Sequence, residues 1–372
     1  MLTLSTDALS MLLHEPGDGF YAGTRFDRGG VFASLLFHGV ELCGPWFTKY
    51  DPLMHDAVQG PAEEFSPVWL PAREEVRREM GFSGTAPKNN FPAEREGEPQ
   101  EAPTEMGFSG TAPKNNFRSV RAREDDRLFI KIGVGLLRLP DESPYDRFRL
   151  YEIIDPGRWE AFAENDRAVF RHVLDGWYDY RKEIVLTGAD RFEIRHTLAS
   201  EVPLEGEVYN HNFFTFGRMA VGPAREIDLP FVPAGDWRAV YDSVGFTPTG
   251  IRFSRPLAEG ESVYCGNLHA AGRDGMPYDL LIRETAAPPV MPDLMIRETA
   301  APPVMPDLIG HPPCHYERSR EVSIHITGDV PVTHTVLWAN HRIACLEPYN
   351  VFRSVPGTPC RWTVRYHLSA GD

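Results

Sequence analysis

The sequence predicts an all-β fold, and three observations support this prediction. Most of the chain consists of short runs rich in Val, Ile, Phe, Tyr and Leu, separated by Gly, Pro and Asp. Alternation is visible in one run, where Phe192, Ile194 and His196 share one face while Glu193 and Arg195 share the other. Helical periodicity is scarce. Many strands with few short helices indicate a β-sandwich or a β-barrel rather than an α/β nucleotide-binding fold.

The predicted strands follow one another along most of the chain. In order, they lie in GGVFASLLFHGVEL, RLFIKIGVGLLRL, RAVFRHVLDGWYDYRKEIVL, DRFEIRHTLA, GEVYNHNFFTF, SVYCGNL, EVSIHIT and VPVTHTVLWA. The glycines of KIGVGLL are expected to relieve strain within a strand, because the third glycine and the helix of a dinucleotide-binding motif are missing. Short helices are predicted only at Thr6–Leu13 and Glu74–Arg78.

The composition narrows the class of protein. The chain has 372 residues, of which 42% are hydrophobic and 24% charged, as in folded water-soluble proteins. A formal net charge of −15 disfavours a protein that binds nucleic-acid phosphates or an anionic membrane, and no apolar run is long enough to span a bilayer. The five cysteines are scattered and the first residues lack the pattern of a secretory signal, so we expect reduced thiols and a cytoplasmic location.

Two pairs of identical segments predict insertions in the fold. EMGFSGTAPKNNF occurs at Glu79–Phe91 and Glu105–Phe117, and IRETAAPPVMPDL at Ile282–Leu294 and Ile296–Leu308. Both lack the apolar periodicity of a folding repeat, which must bury a face against its neighbours. We therefore predict one domain, 1–372, with loop insertions at 71–126 and 281–321.

Several familiar functional motifs are missing. The sequence has neither the GxSxG motif of serine hydrolases nor a phosphate-binding P-loop. His311, Cys314 and His315 lie close together, but their spacing matches no strong zinc pattern and they fall in a predicted insertion. We therefore predict no metal site here. His196 and His334 are expected to be ordinary core histidines.

One predicted strand carries a candidate acid–base residue. In GEVYNHNFFTFG, His211 lies beside Asn210 and close to Phe213 and Phe214. An imidazole has an ordinary pKa of about 6.5, so it can give or take a proton at neutral pH. Asn210 would orient His211 or bind a sugar hydroxyl. The alternative is a core strand whose histidine satisfies a backbone carbonyl.

A carboxylate near the C-terminus is the second candidate. Glu347 follows the apolar residues Ile343–Leu346 and precedes Pro348. A carboxylate that emerges from an apolar strand is partly desolvated, which raises its pKa and makes it a better general base. The alternative is an exposed glutamate that caps a turn.

Together, these two motifs resemble the aldose 1-epimerase (galactose mutarotase-like) family. The strand with Asn210, His211, Phe213 and Phe214 is similar to that family's Asn-His-x-aromatic-Phe strand, and the Cys-Leu-Glu ending at Glu347 is similar to the stretch with its catalytic glutamate. YAGTRFDRGGVFASLLFHG resembles the family's opening hairpin. PLMHDAVQGPAEEFSP occupies the place of its first histidine loop, without the usual His-Gly pair. The likeness is greater to an uncharacterised bacterial branch than to the galactose enzymes.

The resemblance implies a large antiparallel β-sandwich of the galactose mutarotase-like type, with an open groove on one concave sheet. It implies that a monosaccharide or sugar derivative is interconverted between its anomers without a cofactor, with His211 as general acid and Glu347 as general base. The implied substrate-binding residues are Arg25, His55, Glu64 and Asn210. Neither a nucleic acid nor a membrane is an expected partner.

Other carbohydrate chemistry stays open, because a fold does not fix a function. A sugar-phosphate epimerase would need cations for the phosphate, and Arg25, Arg28 and Lys131 are available. A glycoside lyase or hydrolase would use the same histidine and glutamate. A non-catalytic carbohydrate-binding protein would keep the sandwich without turnover. Catalysis requires the side chains of His211 and Glu347 to converge on one groove.

Overall fold

A computed structural model of the chain describes residues 1–47, 49–70, 127–217, 220–238, 242–272, 276–285 and 321–371. Within these ranges the chain forms strands and turns and contains no helix, and no helix there could span a membrane. The strands in chain order are β1 Leu2–Ser5, β2 Leu9–Leu13, β3 Phe32–Phe37, β4 Val40–Glu41, β5 Gly60–Phe65, β6 Val68–Trp69, β7 Arg127–Lys131, β8 Gly135–Leu139, β9 Glu152–Asp155, β10 Arg158–Glu164, β11 Arg167–Leu174, β12 Tyr178–Gly188, β13 Arg191–Ser200, β14 Leu204–Phe213, β15 Arg225–Asp228, β16 Pro233–Arg238, β17 Val244–Thr247, β18 Gly250–Phe253, β19 Ser262–Ala270, β20 Asp279–Glu284, β21 Val322–Gly328, β22 His334–Asn340, β23 Ala344–Ser354 and β24 Cys360–Ala370.

Two large sheets and two small ones are built from these strands. One large sheet has ten strands in the order β10-β11-β12-β13-β24-β21-β20-β15-β18-β17, and the other has six in the order β16-β19-β22-β23-β14-β5. The strands β1 to β4 form one small sheet, and β6 to β9 form the second. Neighbouring strands pair antiparallel, as in β12–β13 and β14–β23. The predicted all-β antiparallel fold is confirmed.

The main core lies between the two large sheets. Phe192 and Ile194 of β13 point into it from the ten-stranded sheet, as their alternation predicts, and each is 1% exposed. Leu337 of β22 and Leu346 of β23 enter the same core from the six-stranded sheet and are fully buried. Apolar side chains from two facing sheets that share one core define a β-sandwich.

The predicted helix at Thr6–Leu13 is wrong. Its second half is β2, in which Leu9, Met11 and Leu13 are buried and the two residues between them are half-buried. This period of two fits a strand that pairs with β1 on one side and β3 on the other. The other predicted helix, Glu74–Arg78, lies outside the described residues.

The predicted insertion at 281–321 begins too early. Residues 281–284 belong to β20 and pair with 322–325 of β21, and Ile282 is fully buried. Glu284 forms a buried ion pair with Arg225 of β15. The first copy of the duplicated IRETAAPPVMPDL motif therefore supplies the end of a core strand. Residues 286–320 and the whole predicted insertion 71–126 lie outside the described residues, as do His311, Cys314 and His315.

Gly133 of KIGVGLL lies in a hairpin turn rather than within a strand, and Gly135 is the first residue of β8. Gly133 lies between β7 and β8 with a φ of 74°, in the left-handed region that favours glycine. A Cβ atom at this position would lie 2.3 Å from Oδ1 of Asp27. Asp27 follows Arg25 by two residues, so the close approach at Gly133 lets the turn pack directly behind the segment that carries Arg25.

Candidate active site

The face of the six-stranded sheet that points away from the ten-stranded sheet carries both predicted acid–base residues. Side chains alternate along β14, so Tyr209, His211 and Phe213 share this face. Tyr209 pairs with Tyr349 of β23, and Glu347 lies two residues before Tyr349 on the same face. Strand pairing therefore brings His211 and Glu347, which are distant in sequence, onto one surface.

The imidazole of His211 lies between two carboxylates. Its Nδ1 atom is 3.1 Å from Oε1 of Glu347, and its Nε2 atom is 3.2 Å from Oε2 of Glu64 on β5. His211 is fully buried, and Glu347 is 7% exposed. The rings of Phe26 and Phe213 pack against the imidazole at centroid distances of 4.9 and 5.3 Å. An imidazole held in this way can exchange a proton with a neighbouring acid or base.

Arg25 ties the carboxylate of Glu64 to the segment before β5. Its Nε atom lies 2.7 Å from Oε2 of Glu64, and its Nη1 atom forms an ion pair with Asp56. Asp56 in turn lies 2.8 Å from Nδ1 of His55. The structure thus gathers three of the predicted substrate-binding residues, Arg25, His55 and Glu64, around His211. Asp56 links them, and its place in an irregular loop gave no sequence signal.

Arg147 and Phe148 cover this cluster from the loop between β8 and β9. Nε of Arg147 lies 3.6 Å from Oε1 of Glu64, and the phenyl ring of Phe148 lies 5.0 Å from the imidazole ring of His55. The guanidinium of Arg25 also lies 5.1 Å from the Phe148 ring. Phe148 is 56% exposed, Arg25 and Glu64 beneath it are buried, and His55 and Asp56 are half-buried, so these two side chains shield the cluster from solvent only in part. Sequence reasoning missed both, because their loop has no strand pattern.

The carboxylates beside His211 favour its charged form. Burial alone would lower the pKa of His211, but the charges and hydrogen bonds of Glu347 and Glu64 hold it above its ordinary value. Burial alone would raise the pKa of Glu64, but Arg25 and His211 hold it well below its ordinary value. Glu64 is therefore ionised at neutral pH, and His211 keeps its proton to a higher pH than free imidazole does.

Asn210 does not reach this cluster. Its side chain points toward the ten-stranded sheet, where Tyr278 and Tyr366 donate hydrogen bonds of 2.7 and 2.9 Å to its Oδ1 atom. Asn210 is 3% exposed. The predicted role of Asn210 in orienting His211 or binding a sugar hydroxyl is therefore wrong, because consecutive residues of a strand point to opposite faces.

A buried ion network lies directly behind the site. Glu63 precedes Glu64 on β5 and faces the interior, where its Oε2 atom lies 2.7 Å from Nζ of Lys182 on β12. Asp27 contributes a second carboxylate, 2.9 Å from the same Nζ atom. All three residues are at most 2% exposed. Since Asp27 and Glu63 lie next to the segments that carry Arg25 and Glu64, the network holds those segments in place.

The two histidines expected in the core differ in location. His196 is a core histidine, because it is 2% exposed, its Nδ1 atom lies 3.0 Å from the Tyr180 hydroxyl, and its ring stacks on Trp362. His334 lies instead on the same outer face as Tyr349, with ring centroids 4.1 Å apart. The prediction for His334 is therefore wrong.

One group of side chains at the site resembles a set of metal ligands. A nitrogen of His211, the thiol sulfur of Cys345 and a carboxylate oxygen of Glu347 all lie within 4.8 Å of one another. Burial raises the pKa of the Cys345 thiol well above its ordinary value, so at neutral pH the thiol keeps its proton. A protonated thiol is a poor metal ligand, and the three groups fit a metal badly.

The chain is similar to known proteins in structure but not in sequence. No family model and no curated protein matches it. A galactose mutarotase-like protein from Lactobacillus casei is 10% identical, with a TM-score of 0.42 over 99% of this chain and 100% of that chain. A galactose mutarotase related enzyme from Lactobacillus acidophilus is 9% identical, with a TM-score of 0.45 over 100% and 98%. A galactose mutarotase-like protein from Clostridium acetobutylicum is 9% identical, with a TM-score of 0.45 over 99% and 94%.

Likeness at TM-scores below 0.5 does not assign a function to the chain.

Proposed function

We propose that the protein is an aldose 1-epimerase-like isomerase that interconverts the anomers of a sugar by acid–base catalysis. The observation that carries the proposal is the 3.1 Å separation between Nδ1 of His211 and Oε1 of Glu347 on one face of the sheet. The pair combines a cationic acid with a carboxylate base, which is what reversible opening of a sugar ring needs. The free thiols of Cys43, Cys265, Cys345 and Cys360 agree with a cytoplasmic location.

The proposed reaction moves two protons. His211 donates a proton to the ring oxygen of the sugar while Glu347 accepts the proton of the anomeric hydroxyl. The bond between C1 and the ring oxygen breaks, and the open-chain aldehyde forms. Rotation about the C1–C2 bond presents the other face of the aldehyde, and ring closure returns both protons to their starting groups. No other reactant is consumed, so the protein's own residues suffice for the cycle.

Access to the pair requires a change at the cover of the site. His211 is fully buried, and we expect a sugar to reach it by displacing Arg147 and Phe148, which lie against Glu64 and His55. The sugar then enters between His211 and Glu347 and replaces their direct contact. Arg25, with its fixed set of donors, and His55 are placed to bind hydroxyl groups of the sugar.

The sugar-phosphate alternative finds little support at the candidate cations. Arg25 is paired with Glu64 and Asp56, and Arg28 donates hydrogen bonds to backbone carbonyls of residues 22 and 23. Lys131 is 1% exposed, and burial lowers its pKa to about 8. None of the three presents a free, exposed charge to a phosphate, so an unphosphorylated sugar is the better substrate class.

Anomer exchange measured by saturation-transfer NMR tests the proposal. The substrates are a panel of free aldoses and their 6-phosphates. Wild-type protein should accelerate exchange of at least one free aldose, and Glu347→Gln should lower that rate by about 10²–10⁴-fold. Glu205→Gln is the matched control, because Glu205 is an exposed residue of β14 and should leave the rate unchanged. If folded wild-type protein accelerates exchange of no sugar, the isomerase proposal fails, and a lyase, hydrolase or binding protein takes its place.

A further inference from the structure

An open groove lies beside the acid–base pair on the outer face of the six-stranded sheet. Its volume is about 380 Å³, within the range of small-molecule sites. It is lined from five strands, β14, β23, β22, β19 and β16, and adjacent strands are about 4.8 Å apart, so the lining extends over roughly 19 Å. Val336 in the groove is the cross-strand partner of Glu347. The groove is therefore adjacent to the reacting groups and longer than one pyranose ring.

Two β-bulges shape the far end of the groove. The pairing of β16 with β19 shifts register between Ala234 and Asp236, and the pairing of β19 with β22 shifts between Cys265 and Leu268. Asn267, inside the second shift, has a φ of 49°. Bulges and left-handed residues redirect side chains and are common beside functional sites. Here they place Asp236 and Asn267 in the groove lining.

The side chains of the groove combine aromatic surfaces with balanced charge. Arg147 lies 5.0 Å from the ring of Tyr209 at the end near the acid–base pair, and Arg238 lies 5.7 Å from the ring of Tyr264 at the far end. Two carboxylates, Glu207 and Asp236, balance the two guanidinium charges. His334 is the one other basic side chain in the groove lining. Burial lowers its pKa, so it is neutral at pH 7 and adds no charge.

A neutral, polyhydroxylated ligand fits such a lining. Guanidinium and carboxylate groups in equal number offer hydrogen-bond donors and acceptors without a net charge that would select an anion or a cation. Tyrosine rings provide flat apolar surfaces for the apolar faces of sugar rings, while their hydroxyls bind polar groups.

We propose that this groove is a binding site for a second sugar unit, so that the preferred substrate is a reducing disaccharide or longer oligosaccharide rather than a free monosaccharide. This inference rests on the proposed function. The anomeric carbon of the reducing-end sugar meets His211 and Glu347, and the attached sugar extends past Tyr349 toward Tyr264. Asp236 and Arg238 bind the hydroxyl groups of that second sugar.

The test compares each reducing disaccharide with its own reducing-end hexose. Maltose, cellobiose, lactose and melibiose all have glucose at the reducing end. Each is therefore compared with glucose at the same concentration by saturation-transfer NMR. At least one disaccharide should have a kcat/KM about tenfold above that of its hexose. Tyr264→Ala should reduce this ratio about fivefold, the loss expected for one aromatic contact. Phe162→Ala is the matched control, because Phe162 is an exposed aromatic residue of β10 on the other sheet and its loss should not change the ratio.

Three outcomes separate the inference from the proposed function. A disaccharide preference that Tyr264→Ala reduces supports the second-sugar site. The inference fails if monosaccharides exchange as fast as every disaccharide, or if Tyr264→Ala lowers both rates equally. If neither monosaccharides nor disaccharides exchange, the proposed isomerase activity fails, but the proposed binding site in the groove is not yet tested. Calorimetric titration with the same disaccharides then tests that binding site alone. Binding that Tyr264→Ala weakens about fivefold keeps the site, and no binding by wild type removes it.

Discussion

Nδ1 of His211 lies 3.1 Å from Oε1 of Glu347, although the two residues come from different strands and are distant in sequence. The other ring nitrogen, Nε2, faces Glu64 at 3.2 Å. A neutral imidazole carries only one N–H group, so it can donate to only one of two carboxylates. The doubly protonated ring carries a positive charge, which is attracted to both carboxylates. This geometry explains why the pKa of His211 is raised although the ring is fully buried.

The raised pKa of His211 predicts the pH dependence of activity and of stability. Burial would lower this pKa, but Glu347 and Glu64 raise it above about 6.5. Because the general acid must be protonated, anomer exchange should fall as the pH rises through the pKa of His211. The stability that the charged ring contributes is fully present below the unfolded-state pKa and is lost over the same rise.

NMR titration of the His211 ring protons checks this prediction, with the resonance assigned by its loss in His211→Gln. The midpoint in wild type should lie above about 6.5, and Glu347→Gln should move it downward because one neighbouring negative charge is removed. A wild-type midpoint at or below the ordinary value would contradict the prediction, as would a midpoint that does not move in Glu347→Gln.

Asn210→Leu should affect stability rather than catalysis. The substitution leaves the buried hydroxyl of Tyr278 without the acceptor it now contacts at 2.7 Å, and an unsatisfied buried donor costs about 1–3 kcal/mol. Chemical denaturation followed by tryptophan fluorescence measures this loss. Because Asn210 points away from His211, the KM for the sugar should stay within about twofold of wild type. A large rise in KM with little loss of stability would contradict this prediction and indicate that Asn210 binds the sugar.

Lys182→Met should be among the most destabilising single changes in the chain. It leaves the carboxylates of Asp27 and Glu63 buried without a cation, and breaking a buried ion pair from one side costs about 3–5 kcal/mol. Urea unfolding measures the loss, with Lys49→Met, on an exposed lysine, as the control. The double variant Lys182→Met with Glu63→Gln should recover part of the lost stability, since one buried charge is removed as well. No recovery would indicate that packing around Lys182, rather than charge, accounts for the effect.

The strands could be predicted from the sequence where apolar and polar residues alternate and the apolar ones are buried. Every second residue of β13 is buried, and the alternation in its sequence predicts both the length of the strand and which side chains face the core. The segment Leu9–Leu13 is different, because five mostly apolar residues in a row fit a helix as well as a strand. The segment forms a strand because it pairs with β1 and β3, and these pairings cannot be read from the sequence.

The site could be predicted only in part. His211 and Glu347 stand in recognisable motifs, and the structure places their side chains together. Asn210 was misplaced because adjacency in sequence means opposite faces in a strand. Arg147 and Phe148 come from an irregular loop, whose position depends on the packing of β8 and β9 rather than on any local pattern.

The duplicated IRETAAPPVMPDL motif provides a matched pair of substitutions. Glu284 in the first copy forms an ion pair with Arg225, which is fully buried, so Glu284→Ala should cost about 3–5 kcal/mol by leaving that charge unpaired. Glu298 is the same residue in the second copy, and β20 takes its residues from the first copy. Glu298→Ala should therefore change stability by no more than about 0.5 kcal/mol. Thermal and urea unfolding of both variants measure the difference. A small loss in Glu284→Ala would mean that the second copy can replace the first in β20, and a loss in Glu298→Ala as large as that in Glu284→Ala would contradict the prediction.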